Sequence, residues 1–150
     1  DEVTYNLHVM LRYEIEKQLF NGDLAVDDLP SAWNTMFKAW FDIDVPEDRL
    51  GCLQDIHWSM GAFGYFPTYT LGNLYAAQLL EAMAADLGDI DELVASGDWE
   101  PMLAWLRPRI HERGSQVSPA QLIEDATGSP PSPEPFLRYV ERKYGELYQL

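Results

Sequence analysis

The sequence is poor in cysteine and in basic residues, and it has no long apolar run. Its single cysteine, Cys52, excludes an intrachain disulfide and a zinc site built from several cysteines. Ten Lys and Arg residues stand against 25 Asp and Glu residues, which gives a net charge of −15. That charge argues against a protein that tracks nucleic-acid phosphates or binds anionic lipid electrostatically, and no apolar stretch approaches the roughly 18–20 residues of a membrane span. We therefore expect neither nucleic acid nor a membrane as a partner.

The length of 150 residues and the hydrophobic content of 47% are those of one compact domain. We predict a single all-helical region over residues 1–150 with no internal domain boundary. The chain begins with Asp1 rather than Met and enters a helical pattern at once, so we expect it to be a piece of a longer protein. No basic segment followed by an apolar one is visible at the start, and the lone cysteine agrees with a cytoplasmic location.

Apolar residues recur at helical spacing along the chain, which predicts an all-α fold with many helices. Residues 2–20 carry a stripe at spacings of three and four, made of Val3, Leu7, Met10, Leu11, Ile15 and Leu19. The polar residues His8, Arg12, Glu16 and Lys17 lie largely off that stripe. Residues 68–87 are helical again, and Ser118-Pro119 and Ser132-Pro133 each predict a hydroxyl cap followed by proline at the first helical position.

One segment combines a carboxylate, an imidazole and two phenols. Asp55 and His57 are two residues apart, so they can pair only if the backbone turns or extends there, because in a regular helix they would point apart. Residues 60–67 contain two glycines and a proline, which predicts a loop or hinge. Tyr65 and Tyr69 would share one face if both began the next helix. A His and two Tyr that converge on a cleft can donate hydrogen bonds to an oxyanion; the alternative is an aromatic loop that fills a gap in the core.

Metal ligands are not evident in the sequence. A helical zinc protease needs His-Glu-x-x-His, which places two ligands on one face with the catalytic base between them. The three histidines, His8, His57 and His111, are far apart and none belongs to that motif. We therefore predict no complete zinc site within this chain. A Gly-x-Ser-x-Gly elbow, a phosphate-binding loop and a dinucleotide fingerprint are also absent.

The stretch Gly51-Cys52-Leu53-Gln54-Asp55-Ile56-His57-Trp58 resembles the Gly-x-x-Gln-Asp-x-His-Trp signature of the carboxypeptidase Taq family, which are thermostable zinc metallocarboxypeptidases. The following stretch, residues 64–73, and the tail, residues 135–148, also resemble that family. The opening residues 1–8 look like the segment that begins at the last residue of its Ile-Arg-x-x-Ala-Asp motif. The resemblance thus covers essentially the whole chain.

The resemblance implies that this chain is the C-terminal part of a larger helical metallopeptidase with a cleft. In the family, the His-Glu-x-x-His helix and a downstream Glu ligand precede the segment seen here. The intact enzyme would bind one zinc ion, use a Glu to activate the metal-bound water and release C-terminal amino acids from peptides. It would also form a homodimer. This chain, which lacks the metal ligands, would depend on the missing N-terminal part of the same polypeptide and would be inactive alone.

The same resemblance implies roles for five residues, because the related oligopeptidases of the thimet and neurolysin type place a His and Tyr residues after the metal site, and the spacing of His57, Tyr65 and Tyr69 suits the same role. Tyr69 would donate its phenol hydrogen to the oxyanion, and Tyr65 would supply the second phenol. His57 would bind the tetrahedral intermediate or the substrate backbone. Gln54 or Asp55 would fix the orientation of the His57 ring.

Two other functions are compatible with the residues. An autonomous helical protein-interaction domain without catalysis would explain the aromatic residues Trp33, Phe37, Trp40 and those of the 63–66 loop. A self-contained hydrolase that uses His57 with Asp55 is the other, and it lacks an evident Ser or Cys nucleophile close by. The signature around Asp55 and His57 favours the peptidase, since an interaction domain has no need of it.

Overall fold

The computed structural model describes residues 2–150; Asp1, which resembles the end of the Ile-Arg-x-x-Ala-Asp motif, lies outside the described residues. Residues 2–150 form eight α-helices and no strand, which confirms the all-α prediction. The helices are α1 (Glu2–Asn21), α2 (Leu29–Phe41), α3 (Ile56–Ser59), α4 (Pro67–Leu87), α5 (Ile90–Ser96), α6 (Glu100–Leu106), α7 (Pro119–Thr127) and α8 (Glu134–Tyr148). Short 3-10 turns lie at Val26–Asp28, Asp48–Leu50 and Cys52–Gln54, and a π-helical turn at Arg107–His111 follows α6.

The chain divides into two compact units, Asp1–Leu71 and Gly72–Leu150, here called the N-terminal and C-terminal units. The division falls within α4. The expectation of a single region without an internal domain boundary stays a prediction. None of the helices formed by residues 2–150 has the length and apolar character needed to cross a membrane.

The core of the N-terminal unit forms where α1 and α2 pack together around a buried cysteine. Leu11 and Ile15 of α1 are fully buried, and they contact Trp33 of α2 and Cys52 of the 3-10 turn that precedes α3. The partly buried residues around this cluster are Leu19, Leu24, Leu29, Met36, Phe37, Phe41, Val45 and Trp58. The segment that carries the sequence signature is thus anchored in this core by its cysteine and its tryptophan.

The predicted apolar stripe of α1 is only partly the buried face. Val3 and Met10 belong to the stripe, yet each is 46% exposed, whereas Glu16, which lies off it, is 4% exposed. The reason is that Glu16 faces the signature segment and the loop after it, where its carboxylate accepts hydrogen bonds from the Trp58 indole N–H and the Gly64 backbone N–H. The buried side of α1 therefore includes polar residues, Glu16 and Arg12, next to the apolar stripe.

The core of the C-terminal unit is built from α4, α5 and α6. Met83, Ile90 and Trp105 are buried together, and the Trp105 indole donates to the Asp86 carboxylate over 2.7 Å. Gln78 of α4 is buried, and its amide nitrogen donates to the Thr127 hydroxyl and to the carbonyls of residues 129 and 130. This amide fixes the turn between α7 and α8.

The two Ser-Pro start signals differ in detail. Ser118 caps α7 as predicted, since its hydroxyl accepts from the backbone N–H of Gln121. At the second signal, α8 spans Glu134–Tyr148 as predicted, but Pro133 occupies the N-cap position and not the first helical position. The Ser132 hydroxyl still accepts from the Glu134 N–H, but as a turn before the helix.

Candidate active site

The Asp55 side chain caps α3, the short helix that holds His57. The backbone of Asp55 is extended (φ −79°, ψ 102°), and its Oδ1 accepts from the backbone N–H of His57 at 2.9 Å and of Trp58 at 3.4 Å. The turn that the sequence required for an Asp55–His57 pair is therefore present as a helix N-cap. The same Oδ1 lies 3.5 Å from His57 Nδ1.

Two phenol rings meet on the other side of His57. The Nε2 atom of His57 lies 3.0 Å from the Tyr69 hydroxyl, within hydrogen-bond distance. The Tyr65 ring stacks on His57 with a centroid distance of 5.6 Å and contacts Tyr69 edge-on at 5.4 Å. Tyr65 precedes α4 and Tyr69 lies in its first turn, so the condition under which the two phenols would share one helical face is not met. The bend before α4 brings their rings into contact instead.

The loop between α3 and α4 has the conformation that its glycines predicted. Gly61 and Gly64 have positive φ angles of +74° and +75°, which side-chain-bearing residues rarely adopt. Phe66 of this loop is 4% exposed, whereas Tyr65 is 50% and Tyr69 37% exposed. Phe66 fills the core, and the two phenols reach the surface beside His57.

Two residues of α1, not singled out in the sequence, support this segment from behind. Glu16 accepts from the Trp58 indole N–H at 2.8 Å and from the backbone N–H of Gly64 at 2.9 Å, so one carboxylate ties α3 to the loop. Arg12 forms a 2.6 Å ion pair with Asp55. A signal for both exists in the sequence, since His8, Arg12 and Glu16 repeat every four residues and so form a polar line along one face of the helix.

Gln54 and Asp55 were the two candidates for orienting His57, and the structure places them differently. Asp55 is buried against His57, with its side chain 1% exposed. Gln54 is exposed at the end of a 3-10 turn. Within residues 2–150 the Gln54 side chain makes no hydrogen bond to the imidazole. Of the two candidates, Asp55 is therefore the one that lies beside the His57 ring in this structure, with Oδ1 3.5 Å from Nδ1.

The surroundings of Tyr69 keep its hydroxyl protonated. Partial burial, followed by the neighbouring Tyr65 phenol, raises the pKa of Tyr69 above its ordinary value of 10.0. A phenol with such a pKa keeps its hydrogen at neutral pH and can donate it to a developing negative charge. The chemistry that this arrangement supports is hydrogen-bond donation to an oxyanion, with the imidazole and the second phenol beside it.

Neither a metal centre nor an activated thiol is formed by the residues around His57. Among residues 2–150, no group of three or more His, Cys, Asp and Glu side chains is placed to hold a metal ion. The two buried carboxylates that contact this segment, Asp55 and Glu16, already bind a guanidinium, backbone N–H groups and an indole. Burial raises the pKa of the Cys52 thiol, so it stays protonated and is a poor nucleophile.

Curated relatives of this chain are carboxypeptidases. The chain is 49% identical over 148 residues to Thermostable carboxypeptidase 1 of Thermus thermophilus, which covers 99% of this chain and 29% of that protein. It is 43% identical over 150 residues to Carboxypeptidase 1 of Bacillus subtilis, covering 100% of this chain and 30% of that protein. The chain therefore spans 29–30% of the length of these relatives.

Solved structures agree in fold. An M32 carboxypeptidase from Deinococcus radiodurans superposes with a TM-score of 0.95 at 40% identity, over 100% of this chain and 30% of that one. Trypanosoma cruzi metallocarboxypeptidase 1 superposes with a TM-score of 0.91 at 42% identity, over 96% of this chain and 30% of that one. The family model of carboxypeptidase Taq (M32) metallopeptidases matches residues 1–144. This chain belongs to the carboxypeptidase Taq (M32) metallopeptidase family.

Proposed function

We propose that this chain is the C-terminal part of a metallocarboxypeptidase that releases C-terminal amino acids from peptides, acting together with the rest of the same polypeptide. Family membership supports the reaction class. The observation that carries the role of this segment is the His57 Nε2–Tyr69 Oη pair, 3.0 Å apart, with Tyr65 beside it. The segment supplies hydrogen-bonding groups to the substrate and not the ligands of the metal.

In this proposal the Tyr69 hydroxyl donates to the oxygen of the tetrahedral intermediate. The nearby Asp55 favours the imidazole proton on His57 Nδ1, so Nε2 accepts the Tyr69 hydrogen and holds the phenol in place before substrate binds. When the scissile carbonyl becomes an oxyanion, the same O–H turns to it. Because the donor is positioned in advance, little reorganisation is needed in the transition state.

His57 and Tyr65 complete the proposed substrate side of the cleft. The half-buried imidazole of His57 contacts the intermediate or the substrate backbone next to the oxyanion. Tyr65, half exposed, provides a second phenol for the substrate backbone. Asp55 orients the imidazole from behind through the contacts described above, and Gln54 has an exposed amide that can reach substrate or the rest of the polypeptide.

Finer features of the enzyme belong to the same proposal. We infer that the metal is zinc, bound by residues outside this chain, because the family resemblance implies zinc and the described residues offer no metal site. We further infer a cytoplasmic homodimer, on the resemblance and on the single buried cysteine. A chain of this length that lacks the metal ligands is expected to show no peptidase activity.

A Tyr69→Phe variant of the full-length enzyme tests the proposed site. Removal of the phenol hydroxyl should lower kcat on a blocked dipeptide by about 10²- to 10³-fold, because one oxyanion donor is lost, while KM changes little. Tyr148→Phe is the matched control, since it removes an exposed phenol from the end of α8. A Tyr69→Phe enzyme with unchanged kcat would overturn the assignment.

A further inference from the structure

The Arg12 guanidinium of α1 is held by hydrogen bonds at two of its three nitrogens and by two aromatic rings. Its Nε donates to Asp55 Oδ2 at 2.6 Å, and its Nη1 donates to the His8 carbonyl at 2.9 Å and lies 3.0 Å from His8 Nδ1. The guanidinium also packs over the rings of Trp33 and Phe66, with centroid distances of 4.7 and 5.1 Å. Its side chain is only 15% exposed. The guanidinium is therefore fixed in both position and plane.

His8 forms the rear support of Arg12. A guanidinium can only donate hydrogen bonds, so Nδ1 of His8 must be the acceptor and carries no proton. Burial, followed by the charge of Arg12, lowers the pKa of His8 below 6.5, which agrees with a neutral ring. His8 and Arg12 are one helical turn apart, so α1 itself sets this contact.

Asp55 transmits the position of Arg12 to His57. Its Oδ2 is taken by Arg12, while its Oδ1 caps α3 and faces His57 Nδ1. The carboxylate is 1% exposed, so no solvent competes for it. A continuous chain of contacts thus runs from His8 through Arg12, Asp55 and His57 to the Tyr69 hydroxyl.

We propose that Arg12 is a positioning residue of the enzyme: by holding Asp55 from behind, it keeps the His57 imidazole in the orientation that meets Tyr69. This inference rests on the proposed function, because that proposal makes His57 and Tyr69 the groups that bind the intermediate. A simple stabilising ion pair needs only a positive charge. The structure shows more than a charge, since one planar fork contacts Asp55 and His8 at once and lies over two aromatic rings, which a lysine ammonium cannot reproduce.

An Arg12→Lys variant of the full-length enzyme separates positioning from charge, because it retains the cation and loses the fork. On a blocked dipeptide, we expect kcat to fall by about 10- to 100-fold with KM within about threefold, as a misplaced catalytic geometry produces. Metal content and the unfolding temperature are measured in parallel to establish that the variant is folded. Arg107→Lys is the matched control, since Arg107 pairs with Glu100 at the surface of the C-terminal unit.

A double-mutant cycle identifies the residue through which Arg12 acts. If it acts through His57, Arg12→Lys should cost much less in a His57→Gln background than in the wild-type enzyme, because the residue being positioned is already gone. Equal losses in the two backgrounds, or a folded Arg12→Lys enzyme with wild-type kcat, would overturn the inference.

The same variants distinguish the inference from the proposed function. If Tyr69→Phe and His57→Gln lower kcat while Arg12→Lys does not, the proposed function stands and the role of Arg12 is wrong. If none of the three variants lowers kcat, both are wrong.

Discussion

The two units of this chain bury polar groups in different ways. In the N-terminal unit, three polar side chains reach the interior, Asn6, Glu16 and Asp55, and each bonds a residue more than 40 positions away in sequence. In the described C-terminal unit, Gln78 is the buried polar side chain, and it binds a turn. The ion pairs of that unit lie at its surface, as for Arg138 with Glu81.

This difference supports the proposal that the N-terminal unit carries the chemistry. A buried carboxylate is unfavourable unless it is paired and fully hydrogen-bonded, and an interior stabilised by apolar packing alone has no need of one. In the N-terminal unit the buried carboxylates of Glu16 and Asp55 converge on α3 and on the loop that carries Tyr65. In the C-terminal unit the buried amide of Gln78 serves a turn remote from the candidate rings in sequence.

The largest expected effect distinguishes the buried ion pair of the N-terminal unit, Arg12 with Asp55, from an exposed ion pair of the C-terminal unit, Arg138 with Glu81. Asp55→Asn leaves the Arg12 cation in a largely buried place without its counter-charge, and the free energy of unfolding should fall by about 3–5 kcal/mol. Glu81→Gln removes a partner of Arg138 in a pair whose side chains are 55% and 54% exposed, so the loss should be about 0–1 kcal/mol. Urea unfolding of the two variants measures both. Equal losses would contradict the division between the units.

A pair of glycine substitutions tests packing and should give effects of opposite sign. A Cβ at Gly51 would lie 2.7 Å from Val45 Cγ1 and 3.2 Å from the Trp33 ring, so Gly51→Ala should destabilise the protein by about 1–3 kcal/mol. A Cβ at Gly72, within α4, would meet nothing within 4 Å. Gly72→Ala should therefore stabilise the protein by about 0.5–1 kcal/mol through helix propensity. Denaturant midpoints provide the measurement, and a stable Gly51→Ala protein would show that the signature glycine has no packing role.

The smallest expected effect concerns pH. The pKa of His8 is lowered in the folded chain, first by burial and then by Arg12, so the unfolded chain binds a proton at His8 more readily. This contribution to stability is complete above pH 6.5 and is lost as the pH falls through the lowered pKa. His8→Asn retains an acceptor for Arg12 without titrating, so its stability should depend less on pH in the acidic range. The measurement is the urea midpoint of the wild-type and His8→Asn proteins at several pH values above and below 6.5. If the midpoints of the two proteins depended on pH in the same way, the lowered pKa of His8 would be contradicted.

The sequence predicted local features of the fold well where a single signal decides them. The loop after α3 depends on the positive φ angles of Gly61 and Gly64, and α4 ends where Gly88 takes a φ angle of +85°. The prediction was poorer for the buried face of α1, since Val3 and Met10 are exposed and Glu16 is buried. Helical periodicity shows which faces of a helix are apolar and which are polar. It does not show whether a polar face meets water or packs against a distant segment whose N–H groups need hydrogen-bond acceptors.

The candidate site divides in the same way. Residues 51–58, the spacing of His57, Tyr65 and Tyr69 and the family are readable in the sequence. So is the need for turned or extended backbone at Asp55 if it is to pair with His57, whereas the helix cap that Asp55 forms was revealed only by the structure. Only the tertiary structure showed that Arg12 binds Asp55 and that Glu16 binds the segment around His57. The reason is that the energy of a buried charge depends on the partner that folding brings to it. Local patterns are encoded within a few residues, whereas the pairing of α1 with a segment more than 40 residues away exists only once the chain is packed.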